Sequence, residues 1–384
     1  MSKTKIFIEA VPLVDKQMSG VPHALAGIVA AMAANKEIMK NYELILVAPK
    51  NRLHLLDRWP GLQNCSRKAI PMKFRIMNGL GRRGLLPPMD LLLGRGIYFF
   101  GNFFNWPLTK SSKSFTYIHD ICFATHPELV QPDNQKMLAK NVPRYIRQTD
   151  YVIAVSETSR REIISEFNVP ESKVKVVYNA ADTSAYSKTY SVEEVKQTQQ
   201  KYGVFGDKYF LFISNIEPRK NIERLIGAIE KLPKDVGLFL VGGDGWLNEK
   251  VFKMIDEQNK KGRKVIKPKT YVDDEDAAKL LQGSLGLTMP SIYEGFGMPA
   301  LESLTMGKPT VVSNIPQFKE VAGEVGFYCD YKNIDSIATA LQKVLDMNDT
   351  ERTNYSQKAK KQASKFSWDK SAAVLASLFN QVKL

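Results

Sequence analysis

LGLTMPSIYEGFGMPALESLTMGKPTVVSN, residues 285–314, reads as strand, glycine loop, helix and strand in direct succession. LGLTMPS (285–291) is a short apolar run of buried-strand type. PALESLTMG (299–307) has Pro at its first helical position and Gly307 just past its end, the usual punctuation of a helix. PTVVSN (309–314) is β-branched again. Two strands joined through one helix run parallel in the same sheet, so this stretch is an α/β crossover unit.

The same alternation extends outward. Before it come strands YFLFIS (209–214), VGLFLVGG (236–243) and VIKPKTYV (265–272), with helices NIERLIGAIEKL (221–232) and DDEDAAKLLQGS (273–284) between them. The first half repeats the pattern with KIFIEAV (5–11), HALAGIVAAMAANKEIM (23–39), YELILVAP (42–49), SFTYIH (114–119), YVIAVS (151–156) and VKVVYN (174–179). ETSRREIISEF (157–167) is a helix opened by Ser156 as N-cap. SAYSKTYSVEEVKQTQQKYGVFGDK (184–208) is polar, holds no strand signal and reads as the connection between two domains. The expectation is an α/β protein of two doubly wound halves, with ligands beyond the carboxyl ends of the strands.

Composition agrees. The 384 residues are 44% hydrophobic and 24% charged, which excludes a disordered or collagen-like chain. Lys+Arg number 54 against 40 Asp+Glu, a net charge of +14 that favours anionic partners. Cys65, Cys122 and Cys329 are odd in number and far apart, as in a reduced, cytoplasmic protein. The opening residues lack the apolar run of a signal peptide, and the most apolar stretch, 85–108, is interrupted by Arg95, glycines and asparagines.

Chemistry concentrates in three places. Glu294 and Glu302 lie eight positions apart, around a Gly295-Phe296-Gly297 turn at a strand end. The helix that begins near Pro299 offers amide N–H groups and a positive dipole end to a phosphate, with Glu302 read in its first turn. Arg219 and Lys220 follow strand YFLFIS within ISNIEPRKNIERL (213–225), a fork of donors beside a point charge, suited to a diphosphate. His119-Asp120 closes strand SFTYIH, whereas His126 reads as a surface bystander. Asp273-Asp274-Glu275-Asp276 contains a D-x-D, but at the start of a helix it is read as capping. There is no zinc-ligand spacing, Walker A sequence, GxGxxG fingerprint or G-x-S-x-G elbow.

The P-S-x-Y-E-G-F-G-x-P-x-L-E-S pattern resembles the E-x7-E motif of retaining GT-B glycosyltransferases of the family 4 type, which includes bacterial mannosyl-, rhamnosyl- and glucosyltransferases of polysaccharide assembly. The resemblance implies two Rossmann-like domains facing across a cleft. Residues 1–183 would bind the acceptor, 184–366 the nucleotide-sugar donor, and a last helix in 367–384 would cross back to the first domain. It implies that Glu294 contacts the donor sugar, Glu302 the ribose hydroxyls, and Arg219 and Lys220 the diphosphate. Gly295, Phe296, Gly297 and Met298 would close over sugar and phosphates. His119 would line the donor-sugar site. Asn215 and Gly243, in the Gly242-Gly243-Asp244-Gly245 strand end, would shape the nucleotide pocket. Gly20 would meet phosphate, although Ser19 replaces the first glycine of the usual pair. Asn179 in VVYNAAD marks the turn at the domain junction.

The implied activity is transfer of a hexosyl group from a nucleotide-diphosphate sugar to a saccharide or lipid-linked saccharide acceptor, with retention, no metal and no other cofactor, in bacterial surface polysaccharide synthesis. A catalytically silent nucleotide-sugar-binding protein and a basic nucleic-acid-binding protein are the alternatives, although no nucleic-acid module is recognisable. Residues 50–113 hold 12 Lys/Arg against Asp57 and Asp90. With Leu85, Leu86, Leu91–Leu93, Phe103, Phe104 and Trp106, they read as a dock for the anionic inner face of the cell membrane, or as a solvated surface above an ordinary strand.

Overall fold

The structure is a computed structural model that describes residues 3–15, 20–70, 72, 74–83, 85–204 and 208–384. Ser19 lies outside them. The chain forms two compact units, 1–125 with 133–180 and 366–384, and 126–132 with 181–365.

The first unit carries strands β1 (Thr4–Glu9), β2 (Tyr42–Ala48), β3 (Ser66–Ala69), β4 (Ile97–Phe100), β5 (Lys113–Ile118), β6 (Tyr151–Ala154) and β7 (Val174–Val176). All pair in parallel, in the order β3-β2-β1-β4-β5-β6-β7. The central strands are buried on both faces, which is why they read as unbroken apolar runs rather than alternating ones. β3, SRKA, is a polar edge strand without an apolar pattern. GIYFFGNFFNWP enters the sheet: Ile97–Phe100 is β4, and Trp106 and Leu93 join the cluster of Phe7, Tyr98 and Phe100. The basic, apolar-looking segment is therefore part core and part surface. Leu85, Leu91, Leu92 and Phe104 remain exposed.

The last helix, Trp368–Asn380, belongs to the first unit. The Trp368 indole lies over Gly27, where an added Cβ would come within 2.4 Å of the ring. Phe379 meets the rings of Tyr42, Phe99 and Phe115, and Ser371 Oγ donates to Tyr178 O at 2.7 Å.

The second unit carries β8 (Tyr209–Ile213), β9 (Gly237–Val241), β10 (Val265–Ile266), β11 (Gly286–Met289), β12 (Thr310–Ser313) and β13 (Phe327–Cys329). They are parallel in the order β10-β9-β8-β11-β12-β13, so this strand order reverses between β8 and β11. The strand read at 265–272 shrinks to two residues, since Pro268 cannot donate to a ladder. Among the described residues, the segment read as a connection holds no strand, as expected, and carries a helix the sequence reading did not name. Helix Val192–Lys201 opens with a Ser191–Glu194 capping box, and Gln282 bonds both main-chain groups of Tyr190 at 2.7–2.8 Å. Ser156 and Asp273 are N-caps as read, accepting from Ser159 N and Asp276 N. The three cysteines are free and buried. Among the described residues no helix is long and apolar enough to cross a membrane, and no cluster of acidic, His or Cys side chains could hold a metal.

Candidate active site

The loops after β8 and β11 flank the point where the second sheet changes direction, the place where open α/β sheets take ligands. After β8 the chain makes a 3-10 turn, Pro218–Lys220, and Asn221 adopts a left-handed φ of +61° to start helix Ile222–Glu230. Asn is among the few non-glycine residues that tolerate this conformation. Its Nδ2 donates to Pro290 O at 2.9 Å and Tyr331 O at 2.8 Å, tying three loops together. Ile292 N donates to Arg219 O at 2.7 Å and binds the β8 and β11 loops directly.

That lacing places Lys220 Nζ 2.7 Å from Glu294 Oε1. The two side chains are 5–6% exposed, and Ser291 Oγ donates to the same carboxylate oxygen at 2.8 Å. Arg219 Nη1 stands 3.5 Å from Glu294 Oε2, while its Nε bonds Glu217 Oε2 at 2.9 Å. Burial works against the Glu294 charge, but Lys220 and Arg219 outweigh it and hold its pKa below the ordinary value. Burial and the neighbouring Arg219 lower the Lys220 pKa, and the Glu294 carboxylate opposes them. The three charges read from separate motifs thus form one cluster.

Gly297 is the N-cap of helix Met298–Met306, at φ +95°. The helix therefore starts one residue before Pro299, and Glu302 sits in its second turn, not the first. Its company differs from that of Glu294. Burial pushes its pKa up to about 8, with Asp274 and Asp182 adding to the rise and a hydrogen bond from Tyr186 opposing it. One motif thus holds one carboxyl ionised and the other protonated at neutral pH. Asp182 escaped the sequence reading and Asp274 was read only as part of a helix start, because tertiary packing, not spacing, brings them to Glu302.

The folded protein keeps the Glu302 proton until about pH 8, whereas an ordinary glutamate releases it near 4.5. Stability from this group therefore falls as pH rises through that window. Glu302→Gln, never charged, should match the parent in stability at pH 4.5 and exceed it by about 1–2 kcal/mol at pH 8.5, a figure reduced because the side chain is only half-buried. Urea titrations at the two pH values measure it. A difference that does not grow with pH contradicts the protonated carboxyl.

Asn215 and Gly243 also meet: Asn215 Oδ1 accepts from Gly243 N at 3.1 Å, and Ile216 N donates to Gly243 O at 2.9 Å. The loops after β8 and β9 touch so closely that a Cβ on Gly242, at φ +142°, would lie 2.1 Å from Ser214 O. Phe296 is buried beside Gly295 and Gly297. His126 belongs to the second unit, its ring 5.0 Å from that of Tyr293 in the Glu294 loop.

Gly20 and His119 belong to the first unit. Gly20 begins helix Gly20–Ala34. His119 follows β5, and its Nε2 lies 2.9 Å from Gly101 O. Burial lowers its pKa, against Gly101 and Asp120.

Two family descriptions match the chain: Glycosyltransferase Family 4 over residues 38–185 and Glycosyl transferases group 1 over 194–362. The O-antigen chain mannosyltransferase B of Escherichia coli is 32% identical over 264 residues, 68% of each chain. The chain belongs to the family 4 glycosyltransferases. The O-antigen chain mannosyltransferase RfbU of Salmonella typhimurium is 25% identical over 233 residues, 60% of this glycosyltransferase and 61% of the relative. The crystal structure of Anabaena HepE with UDP-glucose superposes with a TM-score of 0.71 at 18% identity, over 99% of this glycosyltransferase and all of that chain. The fold of the glycosyltransferase is accordingly GT-B, with one parallel sheet of seven strands and one of six.

Proposed function

We propose that this glycosyltransferase moves a hexosyl group, mannose in the first instance, from a nucleotide-diphosphate sugar to a saccharide or lipid-linked saccharide acceptor, with retention, in bacterial surface polysaccharide synthesis. The Arg219–Lys220–Glu294 cluster, at the reversal of the second sheet, carries this reading. Similarity to named mannosyltransferases supports the sugar.

In the proposed reaction the bond from the anomeric carbon to the diphosphate breaks, and negative charge grows on the departing phosphate. Arg219, Lys220 and the N-terminus of helix Met298–Met306 stabilise that charge. Glu294 orients the sugar and keeps Lys220 charged. Glu302, protonated, donates to one ribose hydroxyl and accepts from another. His119 keeps its family role of contacting the donor sugar. The acceptor hydroxyl attacks the face the diphosphate leaves, and its proton departs on that diphosphate. No protein nucleophile and no metal take part.

Thermal stability against a panel of UDP-, GDP- and dTDP-sugars tests the donor. One nucleotide should stabilise the protein, by about 2.7 kcal/mol at a hundred times its Kd. GDP-mannose is the expected one. If no nucleotide stabilises more than inorganic phosphate does, the donor reading fails.

The first unit's exposed Leu85, Leu91 and Leu92, with Arg95 and Lys110 also exposed, support docking on an anionic membrane. Leu91→Glu with Leu92→Glu should weaken sedimentation with phosphatidylglycerol vesicles at least tenfold and leave transfer to a water-soluble acceptor unchanged. Equal sedimentation removes these leucines from the membrane contact.

A further inference from the structure

Glu9 ends β1 and is 5% exposed. Its register partners are Val47 on β2 and Phe100 on β4. Side chains paired in a parallel sheet share a face, so Glu9 stands beside two buried apolar groups at the rim of the cluster of Phe7, Tyr98 and Trp106. A carboxyl in that setting needs polar partners. Oε1 accepts from Val11 N at 3.0 Å, which turns the group past the strand end. Among the described residues no cation answers it, and burial drives its pKa up to about 8.

The position is the telling one. The first sheet reverses its strand order between β1 and β4, so Glu9 and Phe100 end the two strands at the switch point. Ligands of open α/β sheets bind outside these ends. Gly101 follows β4 and His119 follows β5, linked by the bond from His119 Nε2 to Gly101 O. A carboxyl, a carbonyl and an imidazole thus sit at the ends of three adjacent strands. The face that Glu9 shares is covered by Ile70, Met77, Met89 and Leu93, from the same segment that exposes Leu91 and Leu92.

We infer that Glu9 hydrogen-bonds a hydroxyl of the saccharide acceptor. The role rests on the sugar-transfer reading above. Oε1 stays on Val11, and the protonated Oε2 donates to a sugar oxygen that can donate in return to the carboxyl. Glu9 binds the acceptor and does not take its proton, which leaves with the diphosphate.

The test uses the full chain with GDP-mannose, and methyl α-mannoside as acceptor. Glu9→Ala should lower kcat/KM for methyl α-mannoside at least tenfold, mainly through KM, and leave hydrolysis of GDP-mannose without acceptor within twofold of the parent. Glu9→Gln should recover most of the loss. Parallel loss of transfer and hydrolysis, or transfer unchanged in Glu9→Ala, overturns the assignment. Saturation-transfer NMR with methyl α-mannoside and no donor reads Glu9 even if the donor reading fails. The parent should bind and Glu9→Ala should not, whereas equal signals, or none from the parent, count against Glu9.

Discussion

Glu294→Gln will lower the stability of the second unit by about 3–5 kcal/mol, the usual result of removing one partner of a buried ion pair. For a unit of this size that is a fall of about 10 °C in Tm. The substitution keeps the shape of the side chain and removes only its charge. Among the described residues, Lys220, 2.7 Å away and 5% exposed, then has no counter-ion in contact, and Arg219 loses its contact with Glu294. Transfer should fall by about 10²–10³, the range found when one preorganised electrostatic group is removed.

The pH dependence separates this from loss of a neutral contact. The folded Glu294 pKa lies below the ordinary value. Its contribution to stability is therefore present above pH 4.5 and is lost as pH falls through the lower folded value. The gap between parent and Glu294→Gln should hold from pH 7 to pH 5 and close in more acid solution. Urea unfolding across that range measures it. A constant gap would falsify the ion-pair account. Full activity in Glu294→Gln removes this carboxylate from catalysis, whereas nucleotide-sugar binding with no transfer by the parent itself favours a silent nucleotide-sugar binder.

The strand–helix alternation and the glycine-bounded motif at 285–314 were legible because a parallel sheet covered on both faces demands continuous apolar runs, and a helix start demands its own punctuation. The pairing of Arg219 and Lys220 with Glu294 was legible only as separate pieces. Their meeting depends on Asn221 bonding Pro290 O and Tyr331 O, contacts 69 and 110 residues away in sequence. β3 escaped because an exposed edge strand needs no apolar pattern. Helix Val192–Lys201 escaped because it buries only Val195, Thr198 and Gln199, too narrow a stripe to outweigh its polar residues. Glu9 escaped because a lone acid at the end of an apolar strand carries no motif. Only the strand order shows that this strand borders the reversal of the sheet.

Gly297→Ala will show whether the start of helix Met298–Met306 is where the phosphate sits. Gly297 holds φ +95°, a conformation that costs a side chain about 1–3 kcal/mol. Its new Cβ would also lie 2.6 Å from Cε1 of Phe318, a fully buried ring. Overpacking of that kind adds about 1–3 kcal/mol, so a loss of about 2–6 kcal/mol is expected from the two causes together. Relief requires the loop to move, which carries the first helical amides away from their present positions. Affinity for the nucleotide sugar should then fall at least tenfold in the protein that remains folded, as titration calorimetry below the new Tm can read. Gly20→Ala is the control. Gly20 also begins a helix and was also read as a phosphate-loop glycine, but among the described residues a Cβ there meets nothing within 4 Å. That change should alter stability by no more than about 0.5 kcal/mol. If Gly297→Ala loses stability as expected and still binds the donor like the parent, the helix start is a packing feature, and the diphosphate is held by Arg219 and Lys220 alone.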